Sequence, residues 1–262
     1  PAAIIESDGR RQLVSHPGAS VGSFVVPEDL AFADALTMVE QLSEYAKTNN
    51  IDSIRLTQPP TIYSRRLSHY IDFALQNNGY KYSRREISSV LFLEETVDDN
   101  LSKFKSTHRT AVRKAEKSGI VIRQSEDFEE FYYILKKNLS IRHNVSPTHT
   151  LTELLYLKEL FPEKIYLFGA YMKDKMVAGV VNFIATENVV LAFYISHDEN
   201  FQEVRPINLL FYKIFEWAIQ EKFRVFDFGI FTVNEEPNLG LARFKENFGA
   251  SGQFRDTLEL NL

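Results

Sequence analysis

The sequence contains no cysteine. Disulfide bonds, zinc–thiolate sites and cysteine nucleophiles are therefore excluded, and the composition suits a reducing compartment. No apolar run approaches the roughly 20 residues that a membrane span needs, and no signal peptide is recognisable. From these absences we expect a cytoplasmic protein without a membrane span.

Common cofactor and nucleophile motifs are also missing. There is no P-loop, no G-x-G-x-x-G fingerprint and no G-x-S-x-G elbow. The six histidines are scattered, and none pairs with another ligand at metal-site spacing. We therefore expect no metal and no tightly bound cofactor, and a hydrolase, NTPase or dinucleotide enzyme is disfavoured.

The composition of the 262 residues is that of a globular protein, with 44% hydrophobic and 25% charged residues. This length allows one large domain or two small ones. With 21 Phe and 12 Tyr, the core should be rich in aromatic rings. The net charge of −5 argues against a general nucleic-acid coat, although it can hide a local basic patch.

Hydrophobic periodicity predicts two halves of similar architecture. Residues 1–95 show three strands, of which "VGSFVV" is the third, then a helix, a strand, a helix over "RRLSHYIDFALQNNG" and a strand. Residues 120–262 show the same order after a leading strand and two helices. If the halves are duplicates, about 50 to 60 residues that would complete the first half precede Pro1.

Between the halves, residues 96–119 predict one basic helix. Asp98 and Asp99 suit its start, and Gly119 suits its end. One face carries Leu101, Phe104, His108, Ala111 and Ala115 as a packing stripe. A second face carries Lys105, Arg109, Arg113 and Lys117, joined by Lys103 and Lys114. Two interpretations remain open, a solvated helix face and a groove for a polyanion such as phosphate or RNA backbone.

The order of elements resembles the GNAT acyltransferase superfamily, in full over residues 120–262 and in part over 1–93. In that family the strand equivalent to "NVVLAFYIS" splays from the next strand, and the donor's pyrophosphate binds at the N-terminus of the following helix. A coenzyme A user carries a Q/R-x-x-G-x-G/A loop there. The equivalent "QEVRPIN" contains Gln202 and Arg205 but no glycine, and Pro206 removes an N–H donor. Coenzyme A binding in the usual mode is therefore not expected.

Two segments, "HRTAVRKAEKSGI" and "FDFGIF…PNLGLARFKENFG", are similar to the Fem family of aminoacyltransferases. That family consists of tandem GNAT-like domains, which move an amino acid from aminoacyl-tRNA to a peptidoglycan precursor and also lack the coenzyme A loop. The resemblance implies an α/β (α+β) fold with mixed, mostly antiparallel sheets flanked by helices. We expect a partial GNAT-like domain over 1–95, incomplete at its N-terminus, a connecting helix over 96–119 and a complete domain over 120–262.

The resemblance also assigns candidate catalytic residues. Lys245 matches the lysine of the family's "FK" motif, which lies near the reacting carbonyl, and an ammonium there can stabilise a tetrahedral oxyanion. Asp227, at a strand end, can accept a hydrogen bond from the attacking amine or orient Lys245. Tyr194 can act as general acid to the leaving group, as can His197. The alternatives are an exposed lysine, a capping or salt-bridged aspartate, and a packed tyrosine.

The candidate substrate-binding residues flank these positions. Arg113 and Lys114 match the family's "RK", and Phe244 is expected mainly to pack, with its backbone beside the intermediate. The full set of predicted binding residues is Arg109, Arg113, Lys114, Lys117, Arg205, Asn208 and Phe244.

The resulting prediction is a bacterial, cytoplasmic acyltransferase that forms an amide on an amine acceptor. If it acts as the Fem family does, the acceptor is a cell-wall precursor that carries phosphate. The donor co-substrate is aminoacyl-tRNA or, as the alternative, acyl-coenzyme A. A third alternative is a non-catalytic binding module on the same fold.

Overall fold

The computed structural model describes residues 1–143 and 146–262. Its strands, in chain order, are β1 (Ala2–Ser7), β2 (Arg10–Ser15), β3 (Ser53–Thr57), β4 (Lys81–Phe92), β5 (Ile120–Ser125), β6 (Ile165–Met172), β7 (Lys175–Ile184), β8 (Val189–His197), β9 (Val225–Ile230), β10 (Thr232–Val233), β11 (Glu236–Pro237) and β12 (Ser251–Asn261). Its α-helices are α1 (Phe32–Thr48), α2 (Tyr70–Asn77), α3 (Val97–Ser102), α4 (Ser106–Lys117), α5 (Phe128–His143), α6 (Leu151–Leu160), α7 (Pro206–Gln220) and α8 (Leu239–Glu246). This mixed α/β architecture, mostly antiparallel and flanked by helices, confirms the expected fold class.

The chain forms two compact units, and each unit consists of segments that are not continuous in sequence. The first unit contains residues 1–88, 230–238 and 252–262, and the second contains 89–229 and 239–251. This division differs from the expected boundaries at residues 95 and 119, because the last strand and the short β10–β11 hairpin belong to the first unit.

The first unit contains the strand order β1-β2-β3-β12-β4. Helices α1 and α2 supply a buried core with β3 and β12, whose members include Ala35, Val39, Ala46, Ile54, Leu56, Leu75, Tyr80 and Leu258. The expected third strand over "VGSFVV" is wrong, since this segment makes only an isolated bridge between Gly22 and Thr57. The second predicted helix is shorter than expected, because it begins at Tyr70 and not at Arg65.

The second unit contains the strand order β4-β9-β8-β7-β6-β5, with a hydrophobic cluster on each face. We call the first cluster the α7-face core; it includes Phe104, Val112, Ala115, Val180, Val190, Ala192, Leu210, Phe211, Ile214, Phe215, Phe226, Phe228 and Phe248. We call the second the α5-face core; it includes Phe128, Phe131, Ile134, Leu135, Leu154, Leu167, Val181 and Tyr194, with Phe183 and Phe193 packed against it. The strands between the cores run antiparallel from β5 to β8, whereas β8 and β9 pair in parallel.

The prediction of a single basic helix is wrong, because the segment forms two helices, α3 and α4. Lys105 has an extended backbone with ψ 149°, and its N–H donates to Asn247 O at 2.9 Å, outside any helical ladder. The break lets Phe104 turn fully into the α7-face core, where it is 1% exposed. The expected stop is confirmed, since α4 ends at Lys117 and Gly119 follows with φ +77°.

Helix α8 and the turn that follows it contain both buried and exposed apolar residues. Phe248 is fully buried, but it follows the helix, and Leu241 is 36% exposed and lies off the buried face. Gly249 closes the segment with φ +92°, and a Cβ there would lie 2.7 Å from the Cβ of Lys103. Only glycine therefore allows the chain to pass this point.

Candidate active site

The site is centred on the point where two parallel strands part. The register of β8 and β9 runs from Val189 opposite Val225 to Leu191 opposite Asp227. Beyond Asp227 the described residues of the two strands no longer pair, although β8 continues to His197 and β9 to Ile230. The last paired residue, Asp227, thus lies at the fork.

The Asp227 carboxylate is held by the backbone that follows it. The side chain is fully buried, and Oδ1 accepts a hydrogen bond from Gly229 N–H at 2.7 Å. Gly229 has φ +74°, a conformation that strongly favours glycine. The carboxylate and the left-handed glycine together bend the chain away from β8 at the fork.

Lys245 of α8 reaches the same glycine. Its side chain is 1% exposed, and Nζ donates to Gly229 O at 2.8 Å. The alternative of an ordinary exposed lysine is excluded by this burial. A buried ammonium is costly unless polar groups surround it, and the Gly229 carbonyl is one such group beside the fork.

Strand alternation places the Asp227 carboxylate on a defined face. Phe226 and Phe228 pack into the α7-face core, and Asp227 lies between them in sequence. Successive side chains of a strand point to opposite faces, so Asp227 faces the side of the α5-face core.

The neighbouring Phe244 packs, as expected from the sequence. Its ring lies 5.2 Å from Phe248 and 6.1 Å from Phe211, measured between centroids, and 5.8 Å from the ring of His108. These contacts fix α8 against the α7-face core and so fix the direction of Lys245. Its predicted backbone contact with an intermediate stays a prediction.

The N-terminus of α7 offers few free backbone donors. Arg205 is the N-cap in the left-handed conformation, with φ 58° and ψ 43°, and Pro206 at the first helical position has no N–H. The N–H of Arg205 bonds Gln202 O at 3.1 Å, and that of Asn208 bonds Arg205 O at 3.1 Å. A backbone wrapped around pyrophosphate needs such donors, and here Pro206 has none and that of Asn208 is already bonded.

Several buried polar atoms of the second unit have no hydrogen-bond partner among the described residues. Asn208 is 6% exposed and its Nδ2 finds no acceptor within residues 1–143 and 146–262; the same holds for Nε2 of His108 and, as an acceptor, for Oδ1 of Asn182 on β7. A buried polar group without a partner costs about 1–3 kcal/mol. A bound ligand could recover this free energy, which supports the predicted binding role of Asn208.

The environment of His108 keeps its imidazole neutral. Burial, helped by the charge of Arg205, lowers the pKa of His108 from 6.5 to about 4. The ring packs edge-on against Phe248 with centroids 4.6 Å apart. His108 is therefore an uncharged, aromatic part of the α4 packing face near physiological pH.

Tyr194 lies on β8 past the fork and is 8% exposed. Its hydroxyl oxygen accepts a hydrogen bond from the N–H of His149 at 3.0 Å and lies 2.9 Å from Nδ1 of the same residue. Burial raises the pKa of Tyr194 above its usual value of 10.0. The hydroxyl is thus a weaker acid than a free tyrosine, and a role as sole general acid is not favoured.

The predicted basic stripe divides into two parts. Arg109 is half-buried, and its guanidinium donates to the carbonyls of Phe104 and Ser102, where it ties the end of α3 to α4. Arg113, Lys114 and Lys117 are exposed on α4. Arg109 therefore has a structural partner, whereas the other three remain candidates for polyanion binding.

Sequence reasoning missed His149. This residue directly precedes Thr150, which caps α6 through a capping box with Glu153. The capping signal T-x-x-E is visible in the sequence, but nothing in the sequence reveals that Tyr194 meets a histidine 45 residues away.

The described residues contain neither a metal-binding cluster nor a membrane-spanning helix. Within residues 1–143 and 146–262, no group of three or more His, Asp or Glu is placed to hold a metal ion. None of the described helices is long and apolar enough to cross a bilayer.

Comparison with known families agrees with this geometry. The profile described as "Acetyltransferase (GNAT) domain" matches residues 102–246, more than half of the chain. The chain belongs to this GNAT family. It is therefore an acyltransferase, with the fork of β8 and β9, Asp227 and Lys245 all inside or at the edge of the matched region. No curated protein matches the chain significantly.

Solved structures share the whole fold at low sequence identity. The structure of FemX has a TM-score of 0.73 and 14% identity, over 100% of this chain and 88% of that one. A C-terminal domain assigned to a lysylphosphatidylglycerol synthetase of Agrobacterium fabrum has a TM-score of 0.63 and 12% identity, over 99% and 84%. A tandem GNAT protein of clavulanic acid biosynthesis has a TM-score of 0.55 and 10% identity, over 98% and 81%. At these identities the likeness concerns the fold alone.

Proposed function

We propose that the protein transfers an aminoacyl group from an ester donor to an amine acceptor and so forms an amide. The observation that carries this proposal is the buried Lys245 ammonium, held on Gly229 at the fork of β8 and β9. A GNAT acyl donor enters at such a fork, and this cation is fixed there before any substrate arrives.

In the proposed mechanism Lys245 stabilises the charge that develops on the carbonyl oxygen. The amine attacks the acyl carbon, and the tetrahedral intermediate carries an oxyanion. A fixed charge in a dry site is worth far more to this species than in water, and it needs no reorganisation during the reaction. The role of Asp227 is to accept a hydrogen bond from the attacking amine and to hold Gly229, and through it the direction of Lys245.

The end of α7 supports an ester donor over acyl-coenzyme A. Coenzyme A needs bare backbone around its pyrophosphate, whereas here Arg205 occupies a left-handed position that favours glycine, and Pro206 lacks an N–H. An aminoacyl-tRNA presents its acyl group on a ribose and makes no such demand. The unsatisfied Nδ2 of Asn208 can donate to an oxygen of that terminal nucleotide.

The exposed cations of α4 support a donor with a phosphate backbone. Arg113, Lys114 and Lys117 lie on one short helix of a protein with net charge −5, so they form a local exception to its acidity. The resemblance of "HRTAVRKAEKSGI" and "FDFGIF…PNLGLARFKENFG" to the Fem family supports, by analogy, a cell-wall precursor as acceptor and a bacterial cytoplasmic setting.

Acyl transfer from coenzyme A to an amine is the second candidate. It is favoured by the family description, which names acetyltransferases. A non-catalytic binding module on this fold is the third.

The test compares the two donors on the same protein. The chain would be incubated with charged tRNA or with acetyl-coenzyme A, in the presence of a peptidoglycan-precursor pentapeptide and of simple diamines, and amide products counted by mass spectrometry. We expect amide from the charged tRNA only, with thermal stabilisation by the charged tRNA.

The outcomes separate the three candidates. Amide from acetyl-coenzyme A with clear thermal stabilisation by that donor would replace the proposal by the second candidate. Binding of either donor without any amide product, across all acceptors, would leave only the binding module.

A further inference from the structure

The contact between Tyr194 and His149 has no role in the mechanism above, yet it joins two groups that can share a proton. The phenolic oxygen accepts the backbone N–H of His149 at 3.0 Å and lies 2.9 Å from Nδ1 of its ring. These two contacts with the Tyr194 hydroxyl fix the position of the His149 backbone and the orientation of its imidazole. The ring of His149 also rests on Phe193, with centroids 5.4 Å apart.

We propose that His149 is the base that takes the proton from the attacking amine, and that Tyr194 positions its ring by accepting the Nδ1–H. This assignment rests on the proposed function, since it requires an amine nucleophile at the fork. In this tautomer Nε2 carries the free lone pair, and within residues 1–143 and 146–262 no hydrogen bond occupies it.

The faces of the sheet place this pair on the acceptor side. Phe193 and Tyr194 both lie on the α5-face core side of β8, because the register with β7 shifts there and leaves Phe193 as an extra residue. Asp227 points to the same side from β9. The α7 N-terminus, where a GNAT donor binds, lies on the opposite face with Phe226 and Phe228. An amine approaching the fork from the α5 side would therefore meet a carboxylate and an imidazole.

The chemistry balances without any further reagent. The nitrogen lone pair of the amine forms the C–N bond, and the carbonyl π electrons move to the oxygen beside Lys245. His149 Nε2 removes one proton from the nitrogen. When the C=O bond re-forms, the C–O bond to the ribose breaks, and the same proton passes from Nε2 to the leaving oxygen, giving an amide and an alcohol.

The groups that face His149 are few. Tyr132 of α5 donates its hydroxyl to His149 O at 3.0 Å, Tyr194 faces it from β8, and Glu153 of α6 acts on it through charge. Burial raises the pKa of Tyr194, so the phenol stays protonated and does not compete for the amine proton. The hydrogen bond of Tyr132 goes to the backbone of His149, so Tyr132 offers a matched control for loop anchoring.

The first test needs no activity. In protein labelled with ¹⁵N-histidine, the His149 resonance is assigned by its loss in His149→Gln, and its nitrogen shifts report the tautomer. We expect the proton on Nδ1 in the parent and in Tyr132→Phe, and a shift towards the Nε2–H tautomer in Tyr194→Phe. A parent ring with its proton on Nε2 would overturn the assignment, whether or not the protein makes amides.

The second test uses the pH profile of amide formation. A histidine base must be neutral, so kcat/KM falls as pH is lowered. We expect His149→Gln to reduce kcat/KM about 100-fold or more and to remove this acidic limb. Tyr194→Phe should shift the acidic limb along the pH axis. Tyr132→Phe should keep the parent profile. All variants should have the same thermal stability.

The results distinguish the two proposals. An active parent whose acidic limb and rate survive His149→Gln would overturn the role of His149 while leaving the acyltransferase proposal standing. Equal effects of Tyr132→Phe and Tyr194→Phe on the profile would show that the contact only anchors the loop, and would overturn it too. A parent without amide formation would refute the proposed function itself, and the tautomer would still be read by NMR.

Discussion

The second unit holds its positive charges in two contrasting ways. Lys245 on α8 is 1% exposed and bonded to a backbone carbonyl, whereas Arg113, Lys114 and Lys117 on α4 are open to solvent. The two helices are similar in sequence character, since each carries basic residues beside aromatic or small apolar ones. What differs is which side chain faces the core.

The exposed cations of α4 and the buried Lys245 are suited to different tasks. In water, two charges at 4 Å interact by only about 1 kcal/mol, and salt weakens this further, so α4 can gather and orient a polyanion but not discriminate a transition state. In a dry site the same charge acts at short range and stays in place. Burial, more than charge density, therefore marks Lys245 as the chemical group.

The largest expected effect on stability concerns His108, the partly buried titratable group on the opposite side of α4 from its cations. Its pKa is lowered from 6.5 to about 4, so between these values the unfolded chain binds a proton that the folded chain does not. The free energy of unfolding should thus fall as pH drops from 7 to 4, by up to about 3 kcal/mol from this group. His108→Phe, which keeps an aromatic ring, should remove this part of the slope in urea titrations at several pH values.

A suitable control is His69→Gln, since the side chain of His69 is 76% exposed. If His108→Phe and His69→Gln leave the same pH slope, the buried state of His108 is not as described.

A smaller loss is expected when Asp227 is truncated. Asp227→Ala leaves the partly buried Gly229 N–H without its carboxylate acceptor, which should cost about 1–3 kcal/mol of unfolding free energy. The exposed Asp174 in the β6–β7 turn provides the comparison, because Asp174→Ala should stay within about 0.5 kcal/mol of the parent. Denaturant midpoints at pH 7 measure both, and equal midpoints would contradict the anchoring role of Asp227.

The smallest effect on stability is expected from the exposed cations. Exchanging Arg113, Lys114 and Lys117 together for Gln should change the unfolding free energy little, but it should weaken tRNA binding. The slope of log affinity against log salt should decrease by about one per lost phosphate contact. Fluorescence titrations at several salt concentrations measure the slope.

The matched control exchanges exposed lysines elsewhere in the same unit, Lys136→Gln with Lys222→Gln. An unchanged salt slope in the α4 triple variant, or an equal decrease in this control, would leave α4 as a solvated helix face.

Much of the fold was predictable because it depends on local patterns. The strands from "KIYLFGAYM" to "NVVLAFYIS" and the helix after Pro206 follow from periodicity and caps, and all are confirmed. The errors have tertiary causes. "VGSFVV" finds only one bridge partner at Thr57, and the basic helix breaks because Lys105 N–H bonds Asn247, far away in sequence.

The candidate site was predictable only in part. Lys245, Asp227 and the glycine-free donor segment came from a motif and a strand end. The meeting of Lys245 and Asp227 at Gly229 depends on a left-handed backbone that no side-chain pattern reports. Contacts such as Tyr194 with His149, and the capture of Arg109 by nearby carbonyls, require knowledge of which loops return to which strand.

The central claim is that the buried Lys245 ammonium stabilises the transition state. Its most direct test is kcat for Lys245→Met, which keeps the shape of the side chain without the charge, beside Arg243→Ala, which removes an exposed cation from the same helix. We expect Lys245→Met to stay folded, with a loss of about 1–3 kcal/mol because the Gly229 carbonyl loses its donor, and to lose about 10²–10³ in kcat, while Arg243→Ala keeps the parent rate. A folded Lys245→Met protein that forms amide at the parent rate would contradict the claim.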